Sequence, residues 1–241
     1  MYSNSSMKQR ILLKGRDGID LLKRITTLDP SQLEMNSEHL AVPGLILNPQ
    51  GKIVSYFEIK KRDADTVEMI GTDALLALLD QYTFGEKYEL GKNSVPEDET
   101  MLENFSSDLD RISKLTPKIA YEFLEDGSTN PLEVNLRHAI HDNKGCYPGQ
   151  EVIEKIISLG SPPRKLCLLE LLPGENRAES HLEDALPRSI LDSATGAEVG
   201  TLTSFSKNLG LAIVKRTHQK IGQTFTLNGS PETFSLKQIQ N

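Results

Sequence analysis

The sequence predicts an α+β region followed by a small all-β domain. Three observations carry this. Strand-like and helix-like patterns alternate through the first half, and an early hairpin has an explicit turn. After Gly160-Ser161-Pro162-Pro163-Arg164 the apolar runs become short and strand-like, with no helical period.

Taken in order, Arg10–Gly15 (RILLKG) reads as a strand. Asp17 then caps a helix to about Ile25, where Ile19, Leu22 and Ile25 recur three apart, and Pro30 closes the stretch. Leu45–Leu47 and Ile53–Ile59 flank Asn48-Pro49-Gln50-Gly51. Proline fixes φ there and glycine supplies positive φ, so a β-hairpin is expected. Thr66–Gly71 (TVEMIG) is a further strand. A helix follows, capped by Thr72 or Asp73, with Leu75, Leu76, Leu79 and Tyr82 on one face; Lys87–Gly91 (KYELG) is the next strand. This β-β-α-β order suggests ferredoxin-like packing.

Residues 91–100 read as an acidic, polar surface connection. Met101, Leu102, Phe105, Leu109, Ile112 and Leu115 keep helical spacing up to Pro117. Pro131 suits a helix start, and Leu132, Leu136 and Ile140 recur every four residues, which predicts a one-faced helix ending at His141-Asp142-Asn143-Lys144-Gly145. Beyond Arg164, five strand-like runs (KLCLLEL, AEVGTLTSF, LGLAIVK, QTFTL and TFSL) predict a small barrel or sandwich over about 163–241.

Composition narrows the function classes. A formal net charge of −7 and the lack of a Lys/Arg run argue against direct nucleic-acid binding. No apolar run approaches the roughly 20 residues of a membrane helix. The start, MYSNSSMKQR, has neither the apolar centre of a secretory signal nor an Arg-rich transit pattern, so a cytoplasmic protein is expected. The two cysteines, Cys146 and Cys167, are then expected as free thiols. Walker, dinucleotide-binding, nucleophile-elbow and H-E-x-x-H signatures are absent. His138 and His141 could share a helix face near Cys146, but no fourth ligand stands at a matching spacing, and no metal site is expected.

The chemistry-bearing segment is Asn143–Gly160, NKGCYPGQEVIEKIISLG. Gly145 and Gly149 let the backbone approach a ligand or another strand. Val152, Ile153, Ile156 and Ile157 keep helical phase, although their β-branching leaves a helix-then-strand reading open. A helix starting near Gly149 would favour an anion at its N-terminus. That end and Lys144 would lower the pKa of Cys146. Gln150 and Glu151 carry the hydrogen-bonding groups that a planar heterocycle needs. The bland reading is a structural loop with a buried, inert cysteine.

The eight residues KGCYPGQE, with Lys155, Gly160 and Arg164 after them, resemble the signature of the YgfZ-type folate-binding proteins, relatives of the glycine cleavage T-protein. LLKGRDGIDLLKRITTLD is similar to that family's strand, helix and Thr-x-Asp opening. LILNPQGKIVSYFEI is similar to its hairpin, and GAEVGTLTS and LGLAIVK to two strands of its C-terminal barrel. The family usually carries Arg at the position of Lys155.

The resemblance implies interleaved α+β lobes over residues 8–162, then a β-barrel over 163–241, around a central channel for tetrahydrofolate or a derivative. It implies an accessory role in assembly or repair of iron–sulfur clusters in client enzymes, including a tRNA-modifying one. The implied folate-site residues are Lys144, Gly145, Tyr147, Gly149, Gln150, Glu151, Lys155 and Arg164. Glu151 would pair with the pterin edge, while Lys144, Lys155 or Arg164 would meet the glutamyl tail. Cys146 is the implied catalytic residue, for covalent or redox chemistry or contact with a cluster. The alternatives are a folate-dependent aminomethyltransferase, whose carboxylate the sequence does not assign, and a ligand-free protein-interaction scaffold. No membrane or direct nucleic-acid partner is expected, and the sequence leaves the oligomeric state open.

Overall fold

A computed structural model describes residues 8–33, 41–96, 99–102, 105–173, 182 and 186–240. The chain divides into two compact units. The first comprises Met1–Asn104, Glu125–Ser128 and Arg137–Glu154; the second comprises Phe105–Leu124, Thr129–Leu136 and Lys155–Asn241.

The first unit is built on a five-stranded antiparallel sheet, ordered β2-β3-β4-β1-β5. Its strands are β1 (Lys8–Lys14), β2 (Val42–Leu47), β3 (Ile53–Lys61), β4 (Thr66–Thr72) and β5 (Glu89–Val95); its first two helices are α1 (Arg16–Ile25) and α2 (Asp73–Tyr82). With β2 set aside as an added edge strand, the order β3-β4-β1-β5 has the ferredoxin-like pattern. Alternation along β1 turns Ile11 and Leu13 inward, where they meet Leu21, Leu22 and Ile25 of α1. Phe57, Val67, Met69, Leu75 and Leu79 complete this core. Each such side chain contributes about 1.5–3 kcal/mol by leaving water.

The expected hairpin turn forms. Gly51 has φ +68°, and the Asn48 Oδ1 accepts from the N–H groups of Gln50 and Lys52, each at 3.0 Å. Thr72 caps α2 by accepting from the Ala74 N–H at 3.3 Å. Asp17 does not cap α1: the helix starts at Arg16, behind Gly15, two residues earlier than a cap at Asp17 would place it, and the Asp17 carboxylate accepts from the Lys87 N–H at 2.9 Å. β5 runs on to Val95, through a stretch whose polarity suggested a connection; an edge strand exposed along its length tolerates such residues.

The second unit contains a closed barrel, ordered β10-β11-β6-β9-β8-β7. Its strands are β6 (Arg164–Leu171), β7 (Arg188–Asp192), β8 (Glu198–Ser206), β9 (Leu209–Lys215), β10 (Thr224–Leu227) and β11 (Thr233–Ile239). The barrel core includes Leu169, Ile190, Leu202, Phe225, Phe234 and Leu236. Phe205 and Phe234 meet edge to face at 5.9 Å between centroids. Five strands coincide with the expected runs. The sixth, β7, has only two apolar residues, Ile190 and Leu191, and gives no sequence signal of its own.

Two helical expectations are corrected. From Met101 to Leu115, the described residues form a helix only at α3 (Asp108–Ser113). Ser107 caps it at Asp110, and Leu115 ends the segment at φ +51°. Residues 131–140 form two short 3₁₀ turns, Pro131–Glu133 and Arg137–Ala139, rather than one helix. Asn135 breaks the run at φ +62°, and its side chain donates to the Leu115 carbonyl at 2.9 Å. Leu132, Leu136 and Ile140 are buried all the same, so their spacing marked burial rather than helix. With that helix gone, His138 and His141 share no helix face.

A buried ion pair holds residues 105–124 on the barrel. Arg111 pairs with Glu122 at 3.0 Å and donates to the Ser204 Oγ at 2.9 Å. Glu122 also accepts from the Thr203 hydroxyl at 2.9 Å. Ile112 and Leu115 pack beside them on Leu166, Leu168 and Leu211.

Candidate functional site

The chemistry-bearing loop is anchored on the first unit by backbone and hydroxyl contacts. The buried Thr27 hydroxyl donates to the Ala139 carbonyl at 2.7 Å and accepts from the Leu45 N–H at 3.1 Å. The His141 N–H donates to the Thr27 carbonyl at 3.0 Å, and the Asp29 N–H donates to His141 Nδ1 at 3.3 Å. The loop thereby runs along Thr27-Leu28-Asp29, just past the C-terminus of α1.

Charged groups gather there. Lys144 is buried, and its ammonium donates to the Lys23 carbonyl at 2.5 Å, in the last turn of α1. A helix C-terminus carries partial negative charge, which suits a cation. The same ammonium lies 5.0 Å from the centre of the Tyr147 ring. Lys23 pairs with Asp29 at 3.0 Å, and Asp29 also accepts from the Ser31 N–H and hydroxyl at 3.0 and 2.6 Å. Burial alone would raise the Asp29 pKa, but the hydrogen bonds from Ser31 and Lys23 outweigh it and hold the carboxyl below its ordinary value. Burial lowers the Lys144 pKa to about 8. Lys23 pushes the same way, while Asp29 and Cys146 oppose. Burial also lowers the pKa of His141.

Past Lys144, the chain opens. A Cβ at Gly145 would meet nothing within 4 Å, and Cys146 is exposed, unlike the buried Cys167. Tyr147 is 7% exposed. Its hydroxyl is buried and finds no hydrogen-bond partner among the described residues. Burial pushes its pKa up to about 12, with Glu154 adding to the rise, so the phenol keeps its proton at neutral pH.

Gly149 has a packing reason to be glycine. Its φ is +79°, and a Cβ would lie 2.5 Å from the Asn48 carbonyl oxygen and 2.8 Å from the Gly51 Cα. The motif glycine thus sits directly on the β2–β3 turn. The helix α4 (Gln150–Ser158) follows, settling the helix-then-strand question for this stretch. Ile153 is its buried residue, while Glu151 and Lys155 are exposed and Gln150 is half-buried.

Seven of the expected ligand residues, together with Cys146, have these placements. Lys144, Gly145, Tyr147, Gly149, Gln150 and Glu151 belong to the first unit; Lys155 belongs to the second. Arg164, also in the second unit, grips the buried Glu133 through Nε and Nη2, at 3.2 and 2.9 Å. Lys23 and Asp29 enter the cluster with no role assigned to them from the sequence, and His141 was weighed there only as a metal ligand beside His138 and Cys146. Among the described residues, no three His, Cys, Asp or Glu side chains converge as a metal site, and no helix is long and apolar enough to cross a membrane.

Comparison with known proteins agrees with this architecture. Residues 170–238 match the family model described as the CAF17 C-terminal beta-barrel domain. A putative chloroplastic transferase of Arabidopsis thaliana is 33% identical over 98 residues. That alignment covers 41% of this chain and 22% of the Arabidopsis protein. The crystal structure of glycine cleavage system aminomethyltransferase T from Bartonella henselae superposes with a TM-score of 0.73 at 12% identity, covering 96% of this chain and 83% of that one. The chain has the aminomethyltransferase-like fold with a six-stranded C-terminal barrel, the barrel being similar to the CAF17 C-terminal domain.

Proposed function

We infer that this protein binds tetrahydrofolate or a derivative and serves as an accessory factor for iron–sulfur enzymes, in the manner of the YgfZ-type proteins. The observation that carries the reading is the exposed Cys146, set between an inward-facing Lys144 and a Tyr147 whose buried hydroxyl has no partner among the described residues. The residues fit a polar ligand. The orphan phenol offers a hydrogen bond, the space beside Gly145 is open, and the exposed Lys23 ammonium sits at the rim of the cluster for an anionic group. A reduced folate would supply one-carbon or redox chemistry; Gln150 and Glu151, in the same unit, are the further residues proposed to hold it. Cys146 would act as the thiolate.

The second reading is an aminomethyltransferase, favoured by the fold. It needs a carboxylate free to take up a proton, and Asp29 is the buried carboxylate in the cluster. Its oxygens are already engaged by Ser31, Gln32 and Lys23, and its lowered pKa makes it a weak base. This supports the accessory role over the transferase.

Thermal unfolding with and without tetrahydrofolate tests the binding reading. Ligand at a hundred times its dissociation constant should stabilise the native state by about 2.7 kcal/mol. No shift at any concentration reached would remove the reading. Turnover of an aminomethylated carrier protein would favour the transferase instead.

A further inference from the structure

We propose that His141 is a pH-sensitive latch on the loop that carries Cys146. The neutral imidazole holds the loop against residues 27–29, and its protonation releases that hold. The inference goes beyond the folate reading and does not rest on it.

The geometry fixes the tautomer. His141 Nδ1 lies 3.3 Å from the Asp29 nitrogen and accepts its N–H. An imidazole nitrogen that accepts carries no proton, so the ring is neutral and its proton sits on Nε2. Imidazolium has an N–H at both nitrogens. Protonation therefore sets two donors face to face, and this bond has to break. Asp29 is 3% exposed, so its N–H is then left buried without its acceptor, which is costly. His141 also grips the Thr27 carbonyl through its own main-chain N–H at 3.0 Å. Of these two ties, only the imidazole one titrates.

The charged groups around the ring decide the sign. Lys23 comes from α1, and Asp29 from the turn after it. Arg137, Asp142, Lys144 and Cys146 belong to the same loop, and Arg137 pairs with Asp142. β2, which also packs on this loop, brings no titratable side chain. The Asp29 carboxylate is placed to attract an imidazolium, but Ser31, Gln32 and Lys23 already engage it. Burial is the main influence and lowers the His141 pKa below its ordinary 6.5; Asp29 opposes, Lys144 assists and Asp142 opposes. The released imidazole thus binds a proton that the latched one excludes. The latch is closed above pH 6.5 and opens as pH falls below it. Asp29, held below 3.8, stays ionised throughout this range and adds no step of its own. The placing of Lys144 and Cys146, further along the loop, follows the charge on His141.

The test is NMR on the full chain without ligand, from about pH 8 down to about pH 5. Long-range proton–nitrogen spectra of the His141 ring read its tautomer and midpoint, and exchange of the Asp29 amide reads the latch. The expected result is an Nε2–H tautomer with a midpoint below 6.5. Exchange at Asp29, corrected for the intrinsic effect of pH, should quicken by up to about tenfold for each pH unit below that value, the limit for one linked proton. The buried Leu211 of the barrel should keep its protection over the same range. His141→Asn puts a carbonyl oxygen that cannot titrate near the place of Nδ1, and should keep the Asp29 amide protected at the acid end. His141→Leu removes the acceptor and should leave that amide fast at every pH. An Nδ1–H tautomer, or a midpoint at or above 6.5, overturns the assignment. So does Asp29 protection that is unchanged through the His141 titration, or lost equally in His141→Asn. No folate enters the assay, so this failure is separate from a failure to bind folate.

Discussion

At the scale of single residues, the KGCYPGQE motif separates into parts with different physical tasks. Gly149 exists for packing: its positive φ and its contact with the β2–β3 turn exclude a side chain. Gly149→Ala should destabilise the protein by about 1–3 kcal/mol in urea unfolding, with Cys146 reactivity in the folded protein changed only as the loop shifts. Lys144 carries a pH signature. Its folded pKa is lowered to about 8 from an unfolded value of 10.5. Between those values the unfolded chain holds a proton that the native chain has released, so stability rises with pH there. Compared with Lys144→Met, which cannot titrate, the parent protein should gain relative stability from pH 8 to about 10.5 in parallel denaturation curves. A difference that stays flat over this window would show that the ammonium is well solvated. Cys146, by contrast, supports no packing, and Cys146→Ser should leave the midpoint of thermal unfolding within a degree or two while abolishing the proposed cellular function.

At the scale of elements, the anchoring of the 137–149 loop depends on Thr27. Its buried hydroxyl serves the Ala139 carbonyl and the Leu45 N–H together. Thr27→Val keeps the shape and removes both bonds, at a cost of about 1–3 kcal/mol, and hydrogen exchange at His141 should quicken more than exchange in the barrel. Elements whose cause is local were legible in the sequence. The Asn48–Gly51 turn, the Thr72 cap and the alternation of β1 follow from residues a few positions apart. Residues 131–140 were misread because period-four burial does not need a helix; two 3₁₀ turns split by Asn135 bury the same leucines. β7 was invisible because its stability comes from pairing with β8 and β10 rather than from its own five residues. Within the site, the motif loop was legible as a contiguous stretch. Its electrostatic setting was not, because Lys23 and Asp29 arrive from more than a hundred positions away.

At the scale of the whole molecule, the two units carry different parts of the account. The first unit holds the motif cysteine and its charged neighbours. The second holds the barrel that resembles the CAF17 C-terminal domain, together with the Arg111–Glu122 pair. Removing one member of that pair strands the other as a buried charge. Glu122→Ala should therefore cost about 3–5 kcal/mol, more than the double replacement of Arg111 and Glu122 by apolar residues of similar size. Binding belongs to this scale as well, because a ligand stabilises whatever native state it selects. Native mass spectrometry of freshly purified protein, with tetrahydrofolate then titrated in, bears most directly on the central claim. The account predicts a one-to-one complex with a reduced folate, weakened when Tyr147→Phe removes the orphan hydroxyl. A protein that emerges bare and takes up no tetrahydrofolate at millimolar concentration would contradict it.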